Sequence, residues 1–493
     1  MSKTNFSKYQ VAIFDQVKNS DKNICVQATA GAGKTTTLLE ILNLIPRFKK
    51  TVFLSFSNTI VNELKERVPS HTLASTIHSL GCKMVFAHFK KVKVNENKWF
   101  NILKKAVESK NEGVQDKEKL DKKKIFKKCF EMQEIINFAR MTCTKFEKEA
   151  LTEMCDYYSL EYSNEHFEIV IEEFNKDRKI TEIDFTDMLY LPVKHNLVTQ
   201  LYDYVLLDEA QDLNNLQKIL LEKIIEPKNG RLIAVGDEKQ SIYSFSGSNI
   251  DSFNQLQKRK NTVTLPLSIS YRCGKNIVRE AQTIYPEAIE YFEGAIDGEV
   301  RDGEISEIEE NDIVICRKTA PLIHVFFELL KRGVKAQIIG RDIESGLVSL
   351  AEKVQGYDCE MVYSKCEIEL GNVEQELKDR GIEKPKFHNK YISLEEKVAV
   401  IKTIVNHTGR ADMLVDEIKY IFNENKKGVR LMTIHRSKGL ESDRVFMINK
   451  FNGEIQCPSS KAVKSWEKIQ ENNLLFVGIT RAKKALIKLN ISE

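Results

Sequence analysis

The sequence predicts an α/β fold in which two domains, each built on a parallel β-sheet, are interrupted by inserted segments. Three observations lead to this prediction. The chain has 493 residues, which is too many for one ordinary hydrophobic core. Short apolar runs alternate with helical patterns in both halves of the chain, and such alternation is typical of parallel sheets. Two long stretches with little strand signal separate these runs, so each domain is expected to contain an insertion.

Five apolar runs in each half are expected to form buried strands. Those of the first half are "ICVQA", "TVFLSF", "YVLLD", "LIAVGD" and "NTVTL". Those of the second half are "DIVICR", "VKAQIIG", "VRLMTI", "RVFMIN" and "ALIKLNI". The first interruption, about Cys82 to Ile183, is mainly helical in pattern, whereas the second, about Arg341 to Lys427, is charged and mixed. The lysine-rich run "KEKLDKKKIFKK" is either a DNA contact or, as we prefer, a solvated helix face.

The composition favours a soluble protein of the cytoplasm, in a bacterial cell or a virus-infected host cell. Hydrophobic residues make up 42% of the chain, yet no apolar run is long enough to span a membrane. The N-terminal "MSKTNFSKYQ" lacks the apolar centre of a signal peptide. The net charge is +4, from 75 basic and 71 acidic residues, so a DNA-binding surface is expected to be a local patch.

The ten cysteines indicate neither a disulfide framework nor a zinc site, because none of them form a C-x-x-C pair. Most are expected to be buried free thiols. An iron–sulfur cluster held by Cys82, Cys129, Cys143 and Cys155 is the alternative, and their spacing disfavours it.

The stretch "NICVQATAGAGKTTTLLEILNLIP", Asn23 to Pro46, has the order of a phosphate-binding loop: a strand, a tight turn and a helix. Ala28 stands where the general pattern has its first glycine. Backbone N–H groups from Ala30 to Lys34 would form an anion nest at the helix N-terminus. Lys34 would hold the β- and γ-phosphates and Thr35 a magnesium ion. The alternative is a glycine-rich turn that simply begins a helix.

Two further strand ends carry the residues that such a loop needs for hydrolysis. In "YDYVLLDEAQD", Asp208 and Glu209 follow an apolar strand, where ligands of open α/β sheets bind. We expect Asp208 to hold magnesium and Glu209 to activate the attacking water, although an ordinary strand-to-loop transition has the same pattern. In "LIAVGDEKQSIYSFSGS", Gln240 is placed to reach the γ-phosphate or the attacking water. Tyr243 and Phe245 follow as a base-stacking platform or as core packing.

Taken together, the ordered motifs resemble the UvrD/Rep/PcrA group of superfamily-one DNA helicases. The resemblance runs from about Gln10 to Ala482. Besides "ATAGAGKT", "DEAQD" and "GDEKQSIYSFSG", it rests on "FSNTIVNELKERV", "TIHSLG", "IDFTDML", "SISYRCGKNIV", "VRLMTIHRSKGLE" and "NNLLFVGITRAKKAL". In this group alanine is common at the position of Ala28, so the missing glycine becomes a family marker.

The resemblance implies two RecA-like P-loop domains with ATP and Mg²⁺ between them. The first would comprise residues 1–84 and 182–264, with a helical insertion at 85–181. The second would comprise residues 265–340 and 428–493, with a reduced insertion at 341–427 and no appended nuclease or partner-binding tail.

The resemblance also assigns roles at the nucleotide. Gln10 would read adenine, Tyr271 would stack on the base and Glu441 would contact the ribose. Arg272 and Arg481 would reach the γ-phosphate from the second domain, where guanidinium groups neutralise developing charge. The full set implied for ATP is Gln10, Ala28, Ala30, Gly31, Ala32, Gly33, Lys34, Thr35, Thr36, Tyr271 and Glu441. The set implied for catalysis is Lys34, Glu209, Gln240, Arg272 and Arg481.

For single-stranded DNA, the resemblance implies a track across both domains. Its residues would be Phe56, Asn58, His78, Tyr243, Phe245 and His435. Stacking on bases tolerates any sequence, so little base specificity is expected. His435 is alternatively a structural histidine.

Three departures from the family pattern affect the expected contacts with ATP and the coupling of ATP hydrolysis to DNA movement. Ser246 follows Phe245 where arginine is usual, and Asn472 and Asn473 replace a frequent arginine pair. Thr36 stands where arginine is common after the loop threonine, which removes one expected nucleotide contact.

The favoured hypothesis is an ATP-dependent helicase moving 3′ to 5′ on single-stranded DNA and at junctions with duplex, as a monomer or weak oligomer. The alternative is a translocase that strips proteins from DNA, or the motor subunit of a nuclease or defence complex, without robust unwinding. A third hypothesis, a nucleotide-gated DNA-binding module without turnover, is disfavoured because base, sensor and both arginines are retained.

Overall fold

The computed structural model describes residues 6–56, 58–112, 121–243, 247, 251–423 and 428–492. The chain divides into two compact units. One consists of Met1–Ala28 and Gly33–Leu267, and the other of Thr29–Ala32 and Ser268–Glu493.

The first unit is built on a six-stranded sheet in which every pairing is parallel. The order of its strands is β3-β2-β6-β7-β1-β8, and β4 pairs with β5 elsewhere. The strands are β1 (Asn23–Ala28), β2 (Thr51–Ser55), β3 (Thr72–Thr76), β4 (Lys93–Val94), β5 (Glu182–Ile183), β6 (Tyr204–Leu207), β7 (Arg231–Gly236) and β8 (Thr262–Leu267). Parallel strands need crossover connections, and helices supply them here.

The helices of the first unit divide into those that cover the sheet and those of the long insertion. They are α1 (Lys8–Asn19), α2 (Lys34–Leu44), α3 (Asn58–Lys65), α4 (Ile77–His88), α5 (Lys98–Glu112), α6 (Lys122–Thr142), α7 (Lys148–Tyr158), α8 (Asn164–Asn175), α9 (Asp187–Lys194), α10 (Asn215–Ile224) and α11 (Ser252–Gln257). Helices α5 to α8 lie inside the proposed insertion at 85–181.

The second unit repeats the parallel design. Its main sheet has the order β11-β17-β15-β12-β14-β13, and β16 adds an antiparallel pairing to β15. The strands are β9 (Ile269–Ser270), β10 (Glu290–Tyr291), β11 (Glu299–Gly303), β12 (Ile313–Cys316), β13 (Ala336–Ile338), β14 (Val429–Thr433), β15 (Ser442–Phe451), β16 (Glu454–Ile455) and β17 (Ala482–Ile491). The helices are α12 (Lys275–Gln282), α13 (Ala320–Lys331), α14 (Arg341–Val354), α15 (Cys359–Asp379), α16 (Asn389–Thr408), α17 (Leu414–Ile421), α18 (Ile434–Ser437) and α19 (Ser465–Ile479).

The predicted α/β class with parallel sheets is confirmed, and each of the ten apolar runs contains a strand. Of the described strands longer than two residues, two were not predicted. Strand β3, "TLAST", is rich in hydroxyl side chains although most of it is buried, and β11, "EVRDG", is a half-exposed edge strand. Neither has the apolar run by which buried strands are recognised.

The two long insertions are packed in different ways. Helices α5 to α8 enclose a hydrophobic core of their own, centred on residues such as Leu103, Ile135 and Phe167. The segment of mixed pattern is helical, as α14 to α17, and its apolar residues join the core of the second sheet in one continuous cluster. The assignment of residues 85–181 and 341–427 as inserted subdomains remains a proposal.

A buried ion network ties the helical insertion to the sheet-covering part of the first unit. The Arg140 guanidinium, on α6, donates to Asp184 at 2.6 and 3.0 Å and to Asp187 at 2.8 Å. Lys98 Nζ, on α5, lies 2.6 Å from Asp187 Oδ2. Arg140 has no exposed side-chain surface, so these two carboxylates are what compensate its buried charge.

The described part of the chain contains neither a candidate membrane span nor a metal-binding cluster of three or more His, Cys, Asp or Glu side chains. Its helices include none that is both long and apolar enough to cross a membrane. Its His, Cys, Asp and Glu side chains include no group of three or more arranged to hold a metal ion, and all ten cysteines are free thiols.

Candidate nucleotide and DNA site

The carboxyl ends of the parallel strands bring the predicted site segments of the first unit to one edge of its sheet. Central strands β1, β6 and β7 lead into the glycine-rich loop, Asp208 and Asp237. Outer strands β2 and β3 lead into Phe56 and His78. Ligands of open α/β sheets bind at this edge. The strand order thus separates a central nucleotide region from an outer region with the DNA candidates.

The glycine-rich loop needs glycine at two positions and not at Ala28. Gly31 and Gly33 have φ angles of +70° and +78°, a region that residues with a Cβ rarely adopt. Ala28 is the last residue of β1 and is buried, so a methyl group fits there. Helix α2 begins at Lys34 directly after Gly33, and its N-terminus faces the loop as an anion site requires. Ala30 and Ala32 are buried, whereas Thr36 is exposed.

Lys34 contacts Glu209, predicted for catalysis, and Thr35 contacts Asp208, predicted for magnesium. The Lys34 ammonium lies 2.9 Å from Glu209 Oε1, and the Thr35 hydroxyl donates to Asp208 Oδ2 at 3.3 Å. The Glu209 N–H donates to Asp208 Oδ1 at 2.9 Å. Glu209 has a φ of +52°, and strained backbone of this kind is concentrated at functional sites. The contacts join residues from two strand ends that lie far apart in the sequence.

Burial and charge shift the pKa values of this cluster. Burial raises the pKa of Asp208 to about 6, and the neighbouring Glu209 charge adds to the increase. Burial likewise raises the pKa of Asp237 to about 6. Burial alone would lower the pKa of Lys34, but Glu209, Asp208 and Asp237 outweigh it and raise that pKa. Lys34 therefore stays charged, and the carboxyl groups of Asp208 and Asp237 hold protons more strongly than they would in water.

Gln10 lies beside the loop, as its predicted role at adenine requires. Its Nε2 donates to the Thr37 hydroxyl at 3.0 Å, and that hydroxyl donates to the Gly33 carbonyl at 2.9 Å. Its Oε1 accepts from the Ser7 N–H at 3.0 Å in a capping box at the start of α1. The capping box fixes Gln10 next to helix α2.

Two site residues were not predicted, Gln211 and Asp237. The Gln211 amide donates to Glu209 Oε2 at 2.6 Å, and its carbonyl accepts from the Asp237 N–H at 2.9 Å. Asp237 Oδ2 in turn accepts from Gln240 Nε2 at 2.5 Å. Both residues lie within quoted motifs, "DEAQD" and "GDEKQ", but the sequence does not show that their side chains meet.

The predicted DNA residues of the first unit differ in exposure. Phe56 is 36% exposed and Asn58 is exposed at the start of α3. His78 lies half-buried in the first turn of α4, and burial lowers its pKa. Tyr243 is half-buried after the strand-end loop of Gln240. Phe245 and the neighbouring Ser246 lie outside the described residues.

In the second unit, Tyr271, Arg272 and Glu441 have distinct surroundings. Tyr271 is 44% exposed, and its ring centroid lies 5.2 Å from that of Phe292. Arg272 Nε lies 2.6 Å from Glu441 Oε2, and Lys483 Nζ lies 2.7 Å from Glu441 Oε1. Burial acts to raise the pKa of Glu441, but the hydrogen bond of Lys483 and the charge of Arg272 outweigh it and lower that pKa.

Arg481 is buried within its own unit. Its Nε donates to the Val477 carbonyl at 2.9 Å and one terminal nitrogen donates to the Leu440 carbonyl at 3.1 Å. Backbone carbonyls of its own unit thus hold the guanidinium.

His435 and Asn473 also have neighbours that restrict their chemistry. Burial, with the Arg317 charge as a second cause, lowers the pKa of His435 to about 3, so the ring is neutral at physiological pH. Asn473, where the family pattern has arginine, accepts a 2.7 Å hydrogen bond from the Tyr285 hydroxyl and is buried. The Asn473 side chain is thus the hydrogen-bond acceptor for the Tyr285 hydroxyl inside the second unit.

A parallel sheet with a glycine-rich loop, a lysine at a helix N-terminus and two strand-end carboxylates defines the class of P-loop nucleoside-triphosphate-binding proteins. Within this class, residues 10–261 match the model of the UvrD/REP helicase N-terminal domain. The chain belongs to the UvrD/REP helicase family. The resemblance inferred from the motifs is thereby confirmed.

Curated relatives cover most of the chain at low identity. F-box DNA helicase protein 1 of Schizosaccharomyces pombe is 24% identical over 95% of this chain and 56% of its own length. ATP-dependent DNA helicase Rep of Buchnera aphidicola (from Acyrthosiphon pisum) is 23% identical over 94% of this chain and 91% of its own length. ATP-dependent DNA helicase PcrA of Bacillus subtilis is 25% identical over 66% of this chain and 49% of its own length. The chain therefore spans about half the length of the first and third of these relatives.

Proposed function

We propose that the protein is an ATP-dependent DNA helicase that moves 3′ to 5′ along single-stranded DNA. The observation that carries the proposal is the contact of Lys34 and Thr35 with Glu209 and Asp208 at the edge of a parallel sheet. Family membership supports it, and so do two of the relatives, which are named ATP-dependent DNA helicases. The polarity follows from the family resemblance.

Hydrolysis would be divided among five residues of the first unit. The Lys34 ammonium would bind the β- and γ-phosphates, and Glu209 would take a proton from the attacking water. The Thr35 hydroxyl and the Asp208 carboxylate lie 3.3 Å apart and supply the oxygen ligands that Mg²⁺ prefers. A bound Mg²⁺ would neutralise phosphate charge and so favour attack by water. Gln240 would sense the γ-phosphate.

Arg272 and Arg481 would complete the site from the second unit. A guanidinium near the γ-phosphate stabilises charge that develops during phosphoryl transfer, so hydrolysis would depend on domain closure. Tyr271 and Glu441 would contact base and ribose. The exposed Tyr271 ring is consistent with stacking on a base.

Single-stranded DNA would bind at the outer part of the same strand-end edge. Phe56 and His78 follow the two strands β2 and β3, and Tyr243 follows the Gln240 loop. Aromatic rings stack on any base, and this fits a motor that must pass over all sequences. If the affinity for single-stranded DNA changes with the ATP state, domain closure would be converted into steps along the strand.

The proposal is tested by measuring ATPase activity and strand separation together on 3′-tailed, 5′-tailed and blunt duplexes. We expect single-stranded DNA to stimulate the ATPase and a 3′ tail to be required for unwinding. Lys34→Ala and Glu209→Gln should abolish both activities. An ATPase that runs at the same rate without DNA would overturn the proposal.

A second candidate is a translocase that displaces proteins from single strands without robust unwinding, alone or as a motor subunit. It is favoured by one observation: α14 to α17 share their core with the second sheet and are not packed as a separate body. If strand separation requires a second insertion that packs as a separate domain, this protein would unwind duplex DNA weakly. Removal of a bound protein, measured beside strand displacement on the same 3′-tailed substrate, separates the two candidates.

A further inference from the structure

Among the described contacts of Glu209 are those with two polar side chains, Lys34 and Gln211, and a bound nucleotide would compete for the first of them. Lys34 lies 2.9 Å from Glu209 Oε1 and 3.0 Å from Oε2. A lysine at this position must also bind the phosphates of the nucleotide, so Lys34 cannot by itself hold the Glu209 carboxylate throughout a reaction. The second partner is Gln211, whose Nε2 donates to Glu209 Oε2 at 2.6 Å.

The two ends of the Gln211 amide cannot be exchanged. A carboxylate only accepts hydrogen bonds, so the NH₂ group must face Glu209, and the Asp237 N–H only donates, so the carbonyl must face Asp237. Gln211 is 1% exposed, which makes either lost bond costly. Its position is also confined, since a Cβ on Gly236 would lie 2.9 Å from Gln211 Oε1. Glutamine is therefore the side chain whose shape and polarity satisfy both neighbours.

The contacts of Gln211 connect the hydrolytic carboxylate with the loop that follows β7. Asp237, whose N–H binds Gln211, also accepts from Gln240 Nε2 at 2.5 Å and from the Lys239 N–H at 3.0 Å. Tyr243 follows three residues after Gln240. A displacement of this loop would move the Asp237 N–H and, through one buried amide, the Glu209 carboxylate.

We propose that Gln211 is a positioning residue that holds Glu209 for water activation and makes its position depend on the Gln240 loop. This proposal rests on the proposed function, because it assigns Gln211 a part in the same ATPase. Coupling between the Gln240 loop, which leads to Tyr243, and the Glu209 carboxylate would then depend on the two hydrogen bonds of the Gln211 side-chain amide.

The test uses the full chain with Gln211→Met, which keeps the length of the side chain but neither hydrogen bond. We expect the KM for ATP to stay within about threefold and kcat on saturating single-stranded DNA to fall about 10- to 100-fold, as for a misplaced catalytic group. The stimulation by DNA should fall with it. Gln217→Met is the matched control, since Gln217 is a buried glutamine that only caps α10.

Gln211→Glu separates the two hydrogen bonds. The new carboxylate still accepts from the Asp237 N–H, but when ionised it has no N–H to donate to Glu209 and repels that carboxylate. We expect kcat to fall about as far as in Gln211→Met while the KM for ATP stays within about threefold, because the bond to Glu209 is the one that is lost. An unchanged kcat in either variant, or a loss explained entirely by unfolding or by KM, would overturn the proposal.

The two proposals fail in different ways. If the wild-type ATPase is not stimulated by DNA, the proposed motor function fails, while the basal kcat of the variants still decides the role of Gln211. If the wild-type protein hydrolyses no ATP, both proposals are overturned.

Discussion

The Lys34 ammonium lies 2.9 Å from the Glu209 carboxylate, although 175 residues separate the two in the chain. Glu209 makes the largest of the carboxylate interactions that keep the buried Lys34 charged. Phosphate that binds to Lys34 would therefore compete with Glu209. In the proposed ATPase, the pair would link nucleotide binding to the state of the catalytic base.

Replacing the base should separate binding from hydrolysis. In Glu209→Gln the amide still fills the space but cannot take a proton from water, so kcat should fall by about 10²- to 10⁴-fold. ATP affinity should change little, which equilibrium binding of a fluorescent ATP analogue would check. Glu66→Gln, an exposed acidic residue of the same unit, is the control and should behave like wild type. Equal losses in both variants would contradict the assignment.

The raised carboxyl pKa values predict how stability depends on pH. Asp208 and Asp237 have pKa values of about 6 in the fold, above the ordinary value of 3.8. Between these pH values the folded state binds more protons than the unfolded state, so their contribution to the free energy of unfolding falls as pH rises from about 4 to 6. Asp208→Asn should remove about 3 kcal/mol of this dependence. Urea unfolding at several pH values, without magnesium, measures it.

The same pKa value predicts the pH dependence of magnesium binding. Mg²⁺ and a proton compete for the Asp208 carboxylate, so the affinity for Mg²⁺ in the presence of ATP should fall below about pH 6. Titration of Mg²⁺ against ATPase activity at pH 5, 6 and 7 would show this fall. An affinity that is constant over this range would exclude Asp208 as a ligand.

The strand order predicts which exposed phenylalanine binds DNA. Phe56 follows the carboxyl end of β2, whereas Phe48 precedes the same strand and is 82% exposed at the opposite edge. Phe56→Ala should weaken binding of single-stranded DNA by about 1–3 kcal/mol, equally for all base compositions. Phe48→Ala should leave it unchanged. Fluorescence anisotropy with oligo-dT and mixed oligonucleotides compares them, and equal effects of the two substitutions would refute the assignment.

The buried network of Arg140 predicts a large loss of stability. Arg140→Met leaves the buried Asp184 and Asp187 without their shared guanidinium, and Lys98 still contacts Asp187. Removing one partner of a buried ion network costs about 3–5 kcal/mol. Arg410→Met, which breaks the surface pair with Glu417, should cost less than about 1 kcal/mol. Chemical denaturation measures both, and similar values would show that the network is not important for stability.

The elements that could be predicted from the sequence are those with a local signal. Ten apolar runs predicted ten strands, and the loop from Ala28 to Lys34 was recognised from its glycines and the helix that follows. Strand β3 could not be predicted, because hydroxyl side chains take the place of an apolar run and its burial comes from neighbouring elements. The helical insertion was recognised by pattern, but its anchoring through Arg140 to Asp184 was not, since charged residues are usually exposed.

By itself, the sequence determined the α/β class, the phosphate loop and the order of motifs that places the chain in its family, because each depends on residues close together in the chain. Only the tertiary structure decided that Lys34 pairs with Glu209, that Gln211 joins Glu209 to Asp237, and that the second insertion shares a core with the second sheet. These features depend on the order of strands in the sheet. That order brings distant side chains within hydrogen-bonding distance, where burial makes their contacts strong.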